Sequence, residues 1–178
     1  MRILVGYASA HGSTGQIAHR IAGVLEHQGW AVEVASVSEI ADPGAYDAIV
    51  LGSAIHNQAW LPEATEFVHR HQTALRARPV WLFSVGMSAG LPRLLRRSGR
   101  AAQDRRMAQA LRGLVRPRGH HLFSGVACPE HFPRWSGVLV RAMGGRFGDY
   151  RDWQEIQAWA RDIAGELARD EQAASGSR

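Results

Sequence analysis

The chain has 178 residues, 46% of them hydrophobic, and a net charge of +5 carried by arginine with no lysine at all. That length and apolar share fit one globular domain with a full core and exclude a disordered chain. No apolar run approaches the roughly 20 residues of a membrane span, and the single cysteine, Cys128, excludes an internal disulfide and fits a reducing cytoplasm. The missing lysine marks a compositional bias, so the arginines are not each read as chosen. No nucleic-acid motif accompanies them, and nucleic-acid binding is set aside.

Residues 2–7 form an apolar run suited to a buried parallel strand, and a chain that starts on a strand predicts no signal peptide. Ser9, Ala10, His11, Gly12, Ser13 and Thr14 follow. From Thr14 the pattern turns helical, with Ile17, Ala18, Ile21, Ala22 and Leu25 on one face and Gly29 as a C-terminal glycine. Strand, small polar loop and helix start make an anion site: first-turn N–H groups point into the loop and the helix dipole favours negative charge. The loop lacks the Gly-Lys-Ser/Thr of a P-loop, lacks Gly-x-Gly-x-x-Gly spacing, and holds no Lys or Arg. Hydroxyls and amides alone suit a monophosphate on a cofactor that is also gripped elsewhere. The alternative is a plain strand-to-helix turn with a Ser/Thr cap.

Residues 31–37 alternate like a strand near an edge, and Asp42-Pro43-Gly44 is a turn. Residues 47–51 read as a central strand, followed by a second loop at 52–60 that contains Ser53, Ala54, Ile55, His56, Asn57 and Trp60. Pro62 then suits the first turn of a helix whose face carries Ala64, Phe67, Val68, His71 and Leu75. Residues 80–85 are the next strand, and a third loop starts at Gly86 and Met87. Residues 91–118 hold nine arginines against one acid, Asp104, with apolar residues at roughly helical spacing. Residues 120–126 read as a fifth strand and 128–148 as irregular or partly helical. Asp152 opens a last helix with Glu155 as a capping-box partner, and Ile156, Trp159, Ala160, Ile163, Ala164 and Leu167 form its apolar stripe. Residues 170–178 read as a frayed tail, leaving one domain over 1–169.

Strands alternating with helices predict an α/β fold: a doubly wound sandwich on a five-stranded parallel sheet in the order 2-1-3-4-5. Ligands in such sheets sit at the carboxyl ends of the strands, at the switch between the first and third. That rule gathers the three loops, with the phosphate at 9–14 and Ser53–Trp60 and Ser84, Val85, Gly86 and Met87 flanking a flat ring. Trp60 either stacks on that ring or anchors the core. His56 either offers a proton near it or faces solvent. His120, His121, Cys128 and His131 contain Cys-x-x-His, but adjacent strand residues leave in opposite directions, so no metal site is expected.

The loop at Ser9, His11, Gly12, Ser13 and Thr14 resembles the flavodoxin phosphate loop, with Ser9 where the family usually has threonine. Gly52-Ser53-Ala54-Ile55 with Trp60, Leu82-Phe83-Ser84 with Gly86, and Gly148-Asp149-Tyr150-Arg151-Asp152-Trp153 are similar to flavodoxin-domain proteins related to bacterial menaquinone-dependent protoporphyrinogen oxidase. The resemblance covers residues 1–167 and places the Arg-rich 91–118 where that group carries an extra segment. It implies FMN as cofactor and an oxidoreductase moving electrons from a reduced substrate such as a porphyrinogen to a quinone. It also implies a cytoplasmic protein with peripheral contact at the inner membrane face, and leaves room for a homo-oligomer. Two positions depart from the family pattern: His56 stands near a usual aromatic, and Gln58 near a usual glycine. An electron carrier and a cofactor-free interaction module are the other classes the sequence admits. Flavodoxin carriers are usually acidic, and this chain is basic.

Overall fold

The computed structural model describes residues 1–57, 59–86, 113–127 and 148–176. Predictions at Gln58, Met87, 91–112, Cys128 and His131 lie outside them. The parallel strands are β1 (Arg2–Ala8), β2 (Ala31–Ser36), β3 (Ala48–His56), β5 (Val80–Gly86) and β6 (Gly119–Ser124). They lie in the order β2-β1-β3-β5-β6, and a short β4 (Ala59–Trp60) folds back antiparallel on the end of β3. Numbering the parallel strands alone gives 2-1-3-4-5, as the alternation of elements predicts. β7 (Val126–Ala127) and β8 (Gly148–Asp149) form a separate antiparallel ribbon.

Helix α1 (Ser13–His27) and the last helix, α4 (Trp153–Gly176), pack together over one face. Their stripes meet Ile3, Val5, Val50, Trp81, Phe83 and Phe123. α2 (Pro62–Arg70) and α3 (Gln72–Arg76) cover the other face, where Phe67, Val68 and Leu75 meet Leu4, Leu51 and Leu82. Alternation along each strand divides the core into these two layers. Gly29 ends α1 at φ 91, with its N–H on the Glu26 carbonyl and the Trp30 N–H on that of Leu25. This is the six-to-one, five-to-two pattern that a C-terminal glycine permits.

Three sequence expectations are corrected. The central strand does not stop at Leu51: β3 continues through the expected second loop to His56 and turns into β4. Gly52 and Ser53 are poor strand formers, and tertiary pairing with Phe83 and Ser84 overrides them. The helix after Pro62 breaks at His71 into α2 and α3, and the His71 ring packs 4.7 Å from that of Phe67. The last helix does not fray at Asp170 but runs to Gly176, because Glu171, Gln172, Ala173 and Ala174 are helix formers without needing a buried face.

Candidate functional site: an anion cradle at the sheet's switch point

Strands β1, β3, β5 and β6 end on one edge of the sheet, and β1 and β3 are the neighbours whose connections leave in opposite directions. A crevice at that point is what the topology requires. The loop from Ser9 to Gly12 forms its floor. Gly12 is the N-cap of α1 at φ 83, where a side chain would be strained and a Cβ would meet nothing within 4 Å. A glycine cap returns no side-chain hydrogen bond, and the first turn of α1 holds no acid. The Ser/Thr-capped turn is therefore not what forms here: the first-turn N–H groups keep their capacity for an external acceptor.

Two hydroxyls point the same way. Ser9 Oγ and Thr14 Oγ1 are buried and have no hydrogen-bond partner among the described residues. An unsatisfied buried hydroxyl costs about 1–3 kcal/mol. A helix start with donors but no cap, two orphaned hydroxyls, a third hydroxyl at Ser13 and no carboxylate together fit a phosphate monoester. His11 and Ala10 lie exposed on the rim of the same loop.

The crevice wall is a hairpin. β3 runs two residues beyond its last pairing with β5, Ala54 with Val85, and so ends one residue, about 3 Å, past the end of β5 at Gly86. Ile55 pairs with Trp60 and His56 with Ala59, and Asn57 turns the chain at φ 49, a conformation asparagine tolerates. His56 and Asn57 are exposed there, while Ala54 and Ile55 are half-buried.

Not every residue expected to face a ligand does so. Trp60 is 4% exposed, and its indole N–H donates to Ser84 Oγ at 2.7 Å. The structure thus gives Trp60 the core-anchor role of the two the sequence allowed. Ser84 Oγ also shares a 2.9 Å hydrogen bond with His120 Nε2, tying the hairpin to β6. Ser53 is fully buried; its hydroxyl donates to the Ala54 carbonyl and accepts the Leu61 N–H at the start of α2. Val85 lies in the α1–α4 layer. Of the third loop, Gly86 reaches the edge, and its carbonyl accepts the Gly125 N–H at 2.8 Å.

Sequence reasoning named no role for Gly125, Tyr150 or Arg151, which close the edge beside the cradle. A Cβ on Gly125 would meet Val85 Cγ1 at 2.8 Å and Ser13 Oγ at 3.9 Å. Tyr150 N–H donates to the Gly125 carbonyl. The Arg151 guanidinium hydrogen-bonds Gln16 of α1 and lies 4.5 Å over the Trp153 ring. It also grips Asp149 through Nε and Nη2, which holds that carboxyl below the usual carboxylate range. The one sequence signal for this latch is the run from Gly148 to Trp153. His120 and His121 leave β6 on opposite faces: His120 meets Ser84, and His121 meets Glu155 at 3.0 Å.

A doubly wound parallel sheet with an uncapped, hydroxyl-lined helix start at its switch point defines the flavodoxin-like class. A family model described as the flavodoxin domain matches residues 4–141, and the chain belongs to that family. It is 28% identical over 177 residues to protoporphyrinogen IX dehydrogenase [quinone] of Escherichia coli strain K12, covering 92% of this chain and 95% of that protein. A flavodoxin from the domain Archaea superposes with a TM-score of 0.59 at 16% identity, over 94% of this chain and 99% of that one. Rubredoxin oxygen:oxidoreductase of Desulfovibrio gigas superposes with a TM-score of 0.54 at 14% identity over 94% of this chain, which spans 36% of that protein's length. The chain is accordingly a flavoprotein, a flavin oxidoreductase or electron carrier, and its cofactor is FMN.

Proposed function

We propose that this protein is an FMN-dependent oxidoreductase that takes electrons from a reduced small molecule, a porphyrinogen, and delivers them to a quinone. The observation that carries the flavin part is the pair of orphaned hydroxyls beside an uncapped helix. Ser9, Ser13, Thr14 and the N–H groups of the first turn of α1 hold the phosphate. His56 and Asn57 on the hairpin, with Gly86 opposite, border the ring, and the His56 imidazole is placed to hold a proton at the mouth of the crevice. Bound FMN supplies two-electron redox chemistry, and the protein supplies position and a fixed electrostatic setting. The substrate and acceptor rest on the 28% identical relative, whose match extends over both chains almost end to end.

A quinone acceptor resides in a membrane. No described helix is long and apolar enough to cross one. The arginines at 93, 96, 97, 100, 105 and 106 would then meet anionic headgroups, each worth about 1 kcal/mol near such a surface.

Purified protein should show the absorption bands of oxidised flavin and should oxidise protoporphyrinogen IX anaerobically when a menaquinone analogue is supplied. Retained flavin without quinone turnover would leave the electron-carrier function, and no flavin after reconstitution would sink both. Changing the six arginines to glutamine should abolish salt-sensitive co-sedimentation with anionic vesicles.

A further inference from the structure

Outside the crevice, a groove of about 870 Å³ runs between α1 and α4 on the surface of the helical layer. Along α1 its lining recurs from Gln16 to Gln28, about 18 Å of helix at 1.5 Å per residue. Trp153, Gln157 and Arg161, one helical turn apart on α4, form the opposite side. The lining includes two arginines, Arg20 and Arg161, and two histidines, His19 and His27, with no carboxylate. Arg20 lies 5.3 Å over the Trp153 ring, and Arg161 hydrogen-bonds the neutral Gln157. Neither arginine has a carboxylate partner among the described residues, unlike Arg2, Arg70, Arg118 and Arg151. Gly23 adds no side chain to the floor, and a Cβ there would meet nothing within 4 Å.

We infer that this groove is a docking site for an acidic polypeptide segment of a partner protein. The cationic groups are spread along the groove instead of converging on a point, so they suit an extended polyanion and not a small anion. The apolar side chains of the groove, Val24 and Trp153, are only half-exposed, and two guanidiniums lie over the Trp153 ring, so this face offers little to insert into lipid. Single-stranded nucleic acid needs a free aromatic face for stacking, and the Trp153 ring already carries the guanidiniums of Arg20 and Arg151. Tryptophan and arginine, both present in this concave patch, are residue types that carry binding energy in protein interfaces. An acidic segment supplies the missing carboxylates to Arg20 and Arg161. This inference is independent of the substrate proposed above.

The test uses the full chain and a fluorescein-labelled peptide of about 18 residues with glutamate at every fourth position, read by anisotropy at low salt. The wild type should bind it and should not bind the counterpart with glutamine for glutamate. R20Q/R161Q should weaken binding at least tenfold. R2Q/R70Q removes the same charge elsewhere and should change it less than twofold. Equal weakening by both double variants would overturn the inference, as would peptide binding that R20Q/R161Q leaves intact. It would also fall if R20Q/R161Q abolished binding to phosphatidylglycerol vesicles or an oligothymidylate and spared the peptide. All four arginines are exposed at the surface, so folding should survive, as far-ultraviolet circular dichroism can verify.

Discussion

Two sets of buried hydroxyls lie near the switch point, and their bonding differs completely. Ser53 and Ser84, on the β3 and β5 side, are satisfied: one holds the start of α2, and the other links Trp60 to His120. Ser9 and Thr14, on the β1–α1 side, have no partner among the described residues. A buried polar group with its bonds made is part of the scaffold. One left without them keeps its capacity to bond a ligand. All four positions come from loops or strand ends expected to touch the cofactor, so only their bonding separates wall from cradle.

The largest effect that would test this contrast is expected from Ser13→Asp. A carboxylate beside the phosphate costs several kcal/mol, so FMN affinity should fall by roughly 100-fold or more in titration of the apo-protein. Unchanged affinity would move the phosphate elsewhere. Ser84→Ala should act on the other side of the contrast. It strands the Trp60 indole N–H in the core, and urea unfolding should show a loss of about 1–3 kcal/mol. FMN affinity should stay within about threefold, because the hydroxyl serves the scaffold.

Thr14→Val sharpens the comparison with a smaller change of opposite sign. Removing an orphaned hydroxyl should leave the apo-protein as stable as before or up to about 1 kcal/mol more so, while FMN binds roughly tenfold more weakly. A destabilised apo-protein would mean that Thr14 already has a structural partner.

The smallest effect concerns the latch beside the cradle. Arg151 depresses the Asp149 carboxyl, so the pair adds stability above the ordinary aspartate range near pH 3.9 and loses it as pH falls through the depressed value. Asp149 is 47% exposed, so solvent screening limits the gain to at most about 1 kcal/mol. Thermal unfolding of Asp149→Asn should therefore trail the wild type slightly at pH 7. The gap should close as the pH is lowered below about 4.

The cradle was legible because its logic is local: an apolar strand, small polar residues and a helical stripe follow one another within 3–25. The fold order was legible for the same reason, since alternating periodicities count the layers. The roles of Ser84 and Trp60 were not, because the bond joining them spans 24 residues and no periodicity says which way a strand hydroxyl points. The extent of β3 was hidden by Gly52, whose place is set from the next strand. A Cβ there would sit 2.0 Å from Phe83 Cζ, so the small residue is required by a ring packed on the backbone. The latch was visible as a motif whose contacts, Arg151 with Gln16 across 135 residues, only folding supplies.

The hairpin formed by β3 and β4 carries one more consequence. Its outgoing strand is the same strand that lies between β1 and β5, and its returning residue, Trp60, is fixed in the core. The crevice wall therefore cannot open as a separate unit; it moves only with the central sheet. Amide hydrogens at Ile55 and Trp60 should exchange with solvent at rates approaching those of global unfolding, in contrast to an independent lid, which would exchange far sooner. Under the proposed function, adjustment to a bound ring would fall to the side chains of His56 and Asn57.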